Sequence, residues 1–289
     1  SQGFSLTGLQ LQGLDSANYA FSAGTFTGTG TITARPLTLS ASVPDKVYDG
    51  TTQAGLSGLS LSGVVAGDVV TVSGGSASFA DRFVARDPSG QVLAKSVAVS
   101  GALLGGADAG NYSLTSTTAN TSADIAAKVL TITGLQVADR AYDGTTNTTV
   151  TNWGQVNTGV GSETLLLNHG PAALDSANAG SRTAEVTGYS LVNGANGGLT
   201  SNYRLSSTSA SVSTTIAKAV LQVVANNDAK FVTTSDATGY AGVSYSGFVN
   251  GETAAVLGSA PSVSRSNSSV HTAGSYTGVL VPAGGVASN

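Results

Sequence analysis

The sequence contains no cysteine and no methionine, and it has few charged residues. Without cysteine among its 289 residues, the fold cannot depend on disulfide bonds, whether or not the chain is exported. No apolar run approaches the roughly 18 to 20 residues that a membrane-spanning helix needs. The first ten residues lack the basic start and apolar centre of a signal peptide, and the absence of methionine leads us to expect a segment of a longer protein.

The scarcity of charge excludes several classes of partner. Charged residues make up 10% of the chain, the formal net charge is -4, and no basic patch is present. We therefore expect neither nucleic-acid binding nor membrane insertion. Long runs free of lysine and glutamate argue against helices, whereas abundant valine and threonine favour strands. The composition predicts an all-β protein.

An internal repeat organises the chain. DKVYDGTT returns as DRAYDGTT, so that Tyr48 and Tyr142 are 94 residues apart (142 - 48). A segment with an Asn-Tyr pair also recurs, and an isoleucine-led segment appears as ITARPLTLS, IAAKVLTIT and IAKAVLQVV. Because these markers keep one order and nearly one spacing, they indicate tandem modules of about 90 residues.

The markers divide the sequence into four parts. Residues 32–124 and 125–215 are two closely similar modules, and residues 216–289 are a more distant third module. The third module shares SGFVNGE with SGVVAGD of the first, but it has Phe231 in place of the tyrosine and no Asp-Gly pair. Residues 1–31 match the closing strands of a module, and we expect the third module to lack its own closing strands.

Each module is predicted to be a small β-sandwich or a β-grasp sheet. Residues 37–43 alternate apolar and polar side chains, which is typical of a strand with one buried face. Asp49-Gly50 follows as a turn that needs a positive φ. Residues 253–257 indicate at most one helical turn. Short joins predict that the three modules lie end to end in a rod of about 100 Å.

The Tyr-Asp-Gly turns are the first candidates for a functional site. A catalytic tyrosine or aspartate would use Lys46 as activator, but no histidine or second carboxylate recurs with the motif. We predict instead a structural turn, in which the tyrosine ring is buried at a module edge and its hydroxyl reaches a backbone group. This interpretation covers Tyr48, Asp49, Gly50, Tyr142, Asp143 and Gly144.

The remaining aromatic candidates are the Asn-Tyr corners and the single tryptophan. Tyr19, Tyr112 and Tyr203 recur at one place per module, and periodic aromatic residues are more often core than ligand platforms. Trp153 is not repeated, because Leu59 occupies the matching position. It is the best candidate for stacking on a glycan, and packing within its own module is the competing interpretation.

No motif for catalysis or cofactor binding is present. His169 and His271 lie in different modules, which argues against a Ser-His-Asp arrangement or a histidine-based metal site. P-loop, nucleophile-elbow and dinucleotide fingerprints are absent. The aspartates around each Tyr-Asp-Gly turn leave a shared cation open, and the lysines leave an intramolecular Lys-Asn crosslink open. We expect no enzymatic activity, no cofactor and no resident metal.

Four asparagines begin an Asn-x-Ser/Thr acceptor for glycosylation. In a chain this rich in serine and threonine, several such sites arise by chance. The candidates are Asn111, Asn120, Asn147 and Asn267.

The repeated residues resemble a known family. YDGTT at Tyr48 and Tyr142, the Asn-Tyr corner and the closing I-x-A-[KR]-x-L segment look like the YDG repeats of large bacterial surface adhesins. The third module, with LQVVANNDAK, YSGFVNGET and AGSYTGVLV, is similar to the MBG repeats that follow YDG units in such proteins. The resemblance implies a secreted, filamentous protein of Gram-negative type, exported by two-partner secretion. Because some relatives carry sugars, it also strengthens the expectation for Asn111.

Two functional hypotheses follow from the repeat and the resemblance. The first is a structural stalk of an adhesin at the bacterial cell surface or in the extracellular matrix, which promotes attachment, aggregation or biofilm formation. The alternative is a module that binds an exopolysaccharide or a host glycan near Trp153. Residues 1–31 of one copy are also expected to complete the third module of another, which would build a homo-oligomer or filament.

Overall fold

Strands cover much of the chain, as the β-branched composition predicts. A computed structural model describes residues 2–22, 26–232 and 234–287. Within these residues the fold is all-β: the helical segments are 3-10 turns of three residues each, and no helix is long and apolar enough to cross a membrane. The chain divides into two compact units, residues 1–128 and 129–289.

The first unit contains eleven strands within the described residues. They are β1 (Gln2–Leu6), β2 (Phe26–Gly30), β3 (Arg35–Ser42), β4 (Lys46–Val47), β5 (Gln53–Ala54), β6 (Gly58–Ser62), β7 (Thr71–Phe79), β8 (Lys95–Gly105), β9 (Tyr112–Leu114), β10 (Thr118–Ala123) and β11 (Ile125–Ala126). β12 (Lys128–Leu130) begins at the last residue of this unit.

The second unit continues the series. Its strands are β13 (Thr133–Val137), β14 (Arg140–Ala141), β15 (Val150–Gln155), β16 (Leu165–Asn168), β17 (Ala172–Leu174), β18 (Gly180–Val186), β19 (Ser190–Asn193), β20 (Tyr203–Leu205), β21 (Ala210–Ala217), β22 (Gln222–Ala225), β23 (Val243–Ser246), β24 (Leu257–Ser259), β25 (Ser262–Arg265), β26 (Leu280–Ala283) and β27 (Val286–Ala287).

Two sheets of the first unit bury apolar faces. On β3, Leu37 and Leu39 are buried and the residues between and before them are exposed, which confirms the predicted half-buried strand. β3 pairs antiparallel with β6 and parallel with β9. The other sheet has the order β10-β8-β7-β5 and buries Val97 and Val99 on β8. A separate antiparallel pair, β1 with β2, carries the exposed Phe4 and Leu6.

The second unit builds a similar module over residues 129–217. A four-stranded sheet has the order β14-β21-β18-β17, and β13 pairs with β15. Leu135 of β13 packs with Val186 of β18 and with Tyr189 in one buried cluster. The two sheets therefore share a core.

Residues 219–287 form smaller pairs of strands. β22 pairs with β23, β24 with β27 and β25 with β26. Val263 is the one fully buried apolar residue among the described residues of this region. The 3-10 turn Ala254–Val256, capped by the Thr253 side chain, confirms the helical turn predicted for residues 253–257.

Three other 3-10 turns precede the Asn-Tyr tyrosines and were not predicted. They span Ser16–Asn18, Ala109–Asn111 and Thr200–Asn202. Each is closed by a short-range backbone hydrogen bond, such as the 3.0 Å bond from Asn111 N to Asp108 O. A single turn of this length produces no periodic pattern that a sequence could reveal.

Candidate functional site

The first Tyr-Asp-Gly turn is organised by its aspartate. Tyr48, directly after β4, is buried, and Gly50 has a φ of +79°, a conformation that suits glycine. Asp49 Oδ1 accepts hydrogen bonds from Thr51 N (2.8 Å) and Thr51 Oγ1 (2.9 Å). Partial burial opposes ionisation, but hydrogen bonds from Lys46 and Thr51 hold the pKa of Asp49 below its usual value. The aspartate therefore caps its own turn.

Lys46 completes this turn and has no free capacity to activate a nucleophile. Its Nζ donates to Asp49 Oδ1 (2.8 Å), to Thr51 O (2.9 Å) and to Gln53 O (2.8 Å). The ammonium also lies 5.6 Å from the ring centroid of Phe79. These contacts use the donors of the lysine to fix backbone carbonyls of the turn.

The second turn repeats the arrangement with arginine. Gly144 has a φ of +75°, and Asp143 Oδ1 accepts from Thr145 N at 2.9 Å and Thr145 Oγ1 at 2.8 Å. Asp143 also forms an ion pair with Arg140. The hydrogen bonds from Thr145, followed by those from Arg140, lower the pKa of Asp143. A base three residues before the aspartate is thus part of both turns.

Tyr142 corrects two details of the prediction. Its ring is half-buried instead of buried, and its hydroxyl donates to Glu252 Oε1, a carboxylate, instead of reaching a backbone group. This hydrogen bond favours the protonated phenol and raises the pKa of Tyr142. In the third module, the ring of Phe231 is exposed; the Phe231 carbonyl accepts from Thr234 N at 3.2 Å and Thr234 Oγ1 at 2.8 Å, and Lys230 pairs with Asp236 at 2.6 Å.

The Asn-Tyr corners also bind carboxylates. Tyr112 is buried, donates to Asp68 Oδ2 and accepts from Val65 N at 3.1 Å. The bond to Asp68 raises the pKa of Tyr112. Tyr203 is buried and donates to Glu163 Oε2 at 2.7 Å. Tyr112 and Tyr203 confirm the prediction of buried corners.

Tyr19 departs from that prediction. It is 72% exposed, although the same residue type is buried at the two matching corners. The two buried corners are each held by a carboxylate, Asp68 for Tyr112 and Glu163 for Tyr203, and within the described residues no such bond holds Tyr19.

The family model described as the YDG domain matches the chain twice, at residues 33–119 and 126–211. The chain belongs to the YDG domain family. No curated protein matches the sequence. The two YDG domains confirm the predicted YDG repeats, and each contains the Tyr-Asp-Gly turn and the Tyr-carboxylate corner described above. In the first YDG domain Asp45 accepts from Asp124 N (2.7 Å), and in the second Asp139 accepts from Thr215 N (2.7 Å).

The carboxylates that bind these tyrosines were not among the site residues predicted from the sequence. Asp68, Glu163 and Glu252 end the marker segments SGVVAGD, GVGSE and SGFVNGE, so their recurrence was visible. Their pairing with tyrosines 40 or more positions away was not visible, because only the folded chain brings the two together.

Trp153 of the second YDG domain forms an aromatic pair at the surface. It lies on β15 opposite Leu135 and remains 37% exposed. Its indole stacks on the imidazole of His169, with ring centroids 3.5 Å apart and planes 10° from parallel. Tyr189 donates to the Trp153 carbonyl at 2.7 Å, and burial raises the pKa of Tyr189. No signal in the sequence paired Trp153 with His169.

A surface hollow adjoins this pair. It is open to solvent, and its walls include Asn157, Glu163 and Leu167 beside Trp153 and His169. An exposed indole next to polar groups can stack on an apolar ring face and offer hydrogen bonds at its rim.

The other sequence candidates lie apart from these features. Asn111, Asn120 and Asn147 are exposed, whereas Asn267 is half-buried. His271 is exposed in the third module. Across residues 2–22, 26–232 and 234–287, no group of three or more histidine, aspartate or glutamate side chains is placed to hold a metal ion.

Proposed function

We propose that this chain is part of the stalk of a secreted bacterial adhesin that promotes cell-surface attachment, aggregation or biofilm formation. Two YDG domains follow one another with only residues 120–125 between the matched ranges. Most of these residues belong to β10 and β11, so no separate linker gives the join slack, and consecutive domains joined in this way suit a semi-rigid spacer.

One observation carries the proposal: the residues that repeat between the two YDG domains bind one another. Lys46 and Asp49 hold the first turn, as Arg140 and Asp143 hold the second. The hydroxyls of the corner residues Tyr112 and Tyr203 likewise donate hydrogen bonds to carboxylates of their own domain, Asp68 and Glu163. A motif whose polar groups satisfy each other serves the scaffold, since a binding or catalytic motif must direct some of them to a ligand.

Two further parts of the proposal concern the third module, residues 216–289, and the cellular location of the protein. We assign these residues to an MBG-like module because LQVVANNDAK, YSGFVNGET and AGSYTGVLV resemble segments of MBG repeats. The protein is proposed to act at the cell surface or in the extracellular matrix, with no enzymatic activity and no cofactor.

Small-angle X-ray scattering on the chain at low concentration tests the stalk. Three modules of about 30 to 40 Å in line should give a maximum dimension of about 100 Å. A radius of gyration of about 19 Å, the value for a compact chain of this length, would contradict an extended stalk.

A second candidate function is glycan binding by the second YDG domain. The exposed Trp153, stacked on His169 beside an open surface hollow, is the observation that favours it. The occupant would be an exopolysaccharide or a host glycan that places one sugar face on the indole.

Glycan retention by a Trp153→Ala variant tests this candidate. We expect the variant to lose retention on immobilised exopolysaccharides and host glycans that the unmodified chain binds. Leu199→Ala is the matched control, because Leu199 is equally exposed at 37% and does not line the hollow. If a folded Trp153→Ala variant retains glycans as well as the unmodified chain does, glycan binding at Trp153 is ruled out.

A further inference from the structure

The second Tyr-Asp-Gly turn lies where the chain leaves the second YDG domain. β14 pairs parallel with the end of β21, so that Arg140 lies opposite Ile216 and Ala141 opposite Ala217. Tyr142 continues this pairing, because its backbone N–H donates to the Ala217 carbonyl at 2.8 Å. β21 ends at Ala217, and β22 of the third module follows. The strand pairing therefore holds the turn at the exit of the domain.

The third module returns one of its loops to the same place. Only residues 218–221 separate β21 from β22. β22 pairs antiparallel with β23, with Gln222 opposite Ser246, so the loop 247–252 that follows β23 starts beside this join. The approach is close, because a Cβ atom on Gly247 would lie 2.3 Å from a carbonyl oxygen of the join. Two strand pairs thus bring the loop and the turn together.

Two hydrogen bonds connect the turn to this loop. The Tyr142 hydroxyl donates to Glu252 Oε1, and Asn250 Nδ2 donates to the Gly144 carbonyl at 3.2 Å. Each side therefore supplies one donor and one acceptor. Because hydrogen bonds are directional, two of them constrain the orientation of the loop on the turn as well as its distance.

The glycine of the turn makes room for the loop. A Cβ atom on Gly144 would lie 2.7 Å from Asn250 Cβ and 2.8 Å from Asn250 Nδ2. Carbon atoms pack at about 3.5 to 4.0 Å, so a side chain at this position would displace the asparagine. Asn250 itself has a φ of +51° and Gly251 a φ of +75°, a left-handed turn that these two residue types adopt. The shapes of the turn and the loop are therefore matched.

The residues of the turn serve two different contacts. Asp143 binds Thr145 and Arg140 within the turn, whereas Tyr142 and Gly144 contact the loop of the third module. Residues 129–289, which include both partners, cluster as one compact unit. The aspartate therefore shapes the turn, and its two neighbours bind outside the domain.

We propose that the second Tyr-Asp-Gly turn is the docking site for loop 247–252 and that this contact holds the third module in one orientation on the second YDG domain. The partner that fits the turn is a left-handed Asn-Gly loop with a carboxylate two residues after the asparagine. The inference concerns this joint alone and does not depend on the cellular function proposed above.

Distances between two spin labels test the joint, because the chain has no cysteine that would compete for the label. The labels are attached at Ser211→Cys on β21 and at Ser264→Cys on β25, two exposed positions outside the contact. Double electron–electron resonance measures the distribution of distances between them. We expect one narrow distribution for the unmodified joint. In Gly144→Ala it should become about twice as wide, since linked modules move relative to one another unless their interface holds them.

Gly134→Ala is the matched control for this variant. Gly134 has a φ of +78°, close to the +75° of Gly144, but no atom lies within 4 Å of its Cβ position. The substitution therefore adds the same backbone strain to the same domain without touching the loop, and the distribution should keep its width. A broad distribution in the unmodified joint, an unchanged width in Gly144→Ala, or equal broadening by both variants would overturn the proposal.

Tyr142→Phe tests the joint without adding backbone strain. The variant keeps the ring but cannot donate to Glu252, and we expect the distribution to broaden. Tyr203→Phe is its control, because it loses a hydrogen bond to Glu163 inside the domain and should leave the width unchanged. Circular dichroism checks that each variant is folded, and Tyr142→Phe decides if Gly144→Ala does not fold. An unchanged width in folded Tyr142→Phe would contradict the proposal.

Discussion

Asp49 and Asp143 each accept bonds from a threonine two residues later and from a base three residues earlier. In each turn the aspartate and the base therefore bond to groups of the turn itself. The glycine and the aspartate of this turn could be predicted from Asp-Gly alone, since that pair favours a positive φ. The hydrogen bonds from Lys46 to backbone carbonyls could not be predicted from the sequence, because a lysine shortly before a tyrosine is equally compatible with an activating base.

The glycine of the turn should be sensitive to any side chain. Gly50→Ala is expected to lower the free energy of unfolding by about 1 to 2 kcal/mol, because the left-handed conformation at φ +79° crowds a Cβ atom. The measurement is urea denaturation followed by circular dichroism. Gly110→Ala is the control: Gly110 has no left-handed φ and open space around its Cβ position, so little change is expected.

Acid should weaken the turn. The folded-state pKa of Asp49 lies below the ordinary 3.8, so its contribution to stability is fully present above that value and is lost as pH falls through the folded-state pKa. We expect the difference in unfolding free energy between the unmodified chain and Asp49→Asn to be constant near neutral pH and to shrink as the pH falls below 3.8. A difference that persists unchanged at the lowest pH would contradict the assignment.

At the scale of elements, the unit that recurs is a 3-10 turn followed by a short strand with a tyrosine. The alternation in β3 and the turn at Ala254–Val256 were predictable, because each leaves a local signal. The docking of Tyr112 on Asp68 was not, because the pair is separated by 44 positions and depends on β9 pairing with β3. The burial predicted for Tyr19 was wrong for a related reason: burial depends on which other parts of the chain pack against a residue.

The corner hydroxyl should contribute to stability where it is buried. Tyr203→Phe keeps the ring but removes the bond to Glu163, and we expect it to cost about 1 to 3 kcal/mol. Thermal and urea unfolding measure the loss. Tyr19→Phe is the matched control, since Tyr19 is exposed, and at concentrations where the chain is monomeric its unfolding should be unchanged. Equal effects at both positions would show that the hydrogen bond is not the cause.

At the scale of the whole molecule, the period of the markers predicted the tandem modules, and the resemblance of the repeated residues to YDG repeats predicted the domain family. The matches at 33–119 and 126–211 lie inside the two modules expected at 32–124 and 125–215. The repeat carried this information because several markers in fixed order are specific, whereas any one of them is not. Ligand identity carries no such signal, since a single exposed tryptophan beside a hollow is compatible with many sugars.

The most direct test of the proposed stalk is an exchange within the protein in its native cells. Residues 33–211 are replaced by an unrelated, stiff β-domain array of equal length, and adhesion of the cells to a surface is counted. A stalk predicts that adhesion is retained with the replacement and falls when the same residues are simply deleted. Loss of adhesion with the equal-length replacement, at unchanged surface display, would contradict the stalk and show that the YDG domains themselves bind.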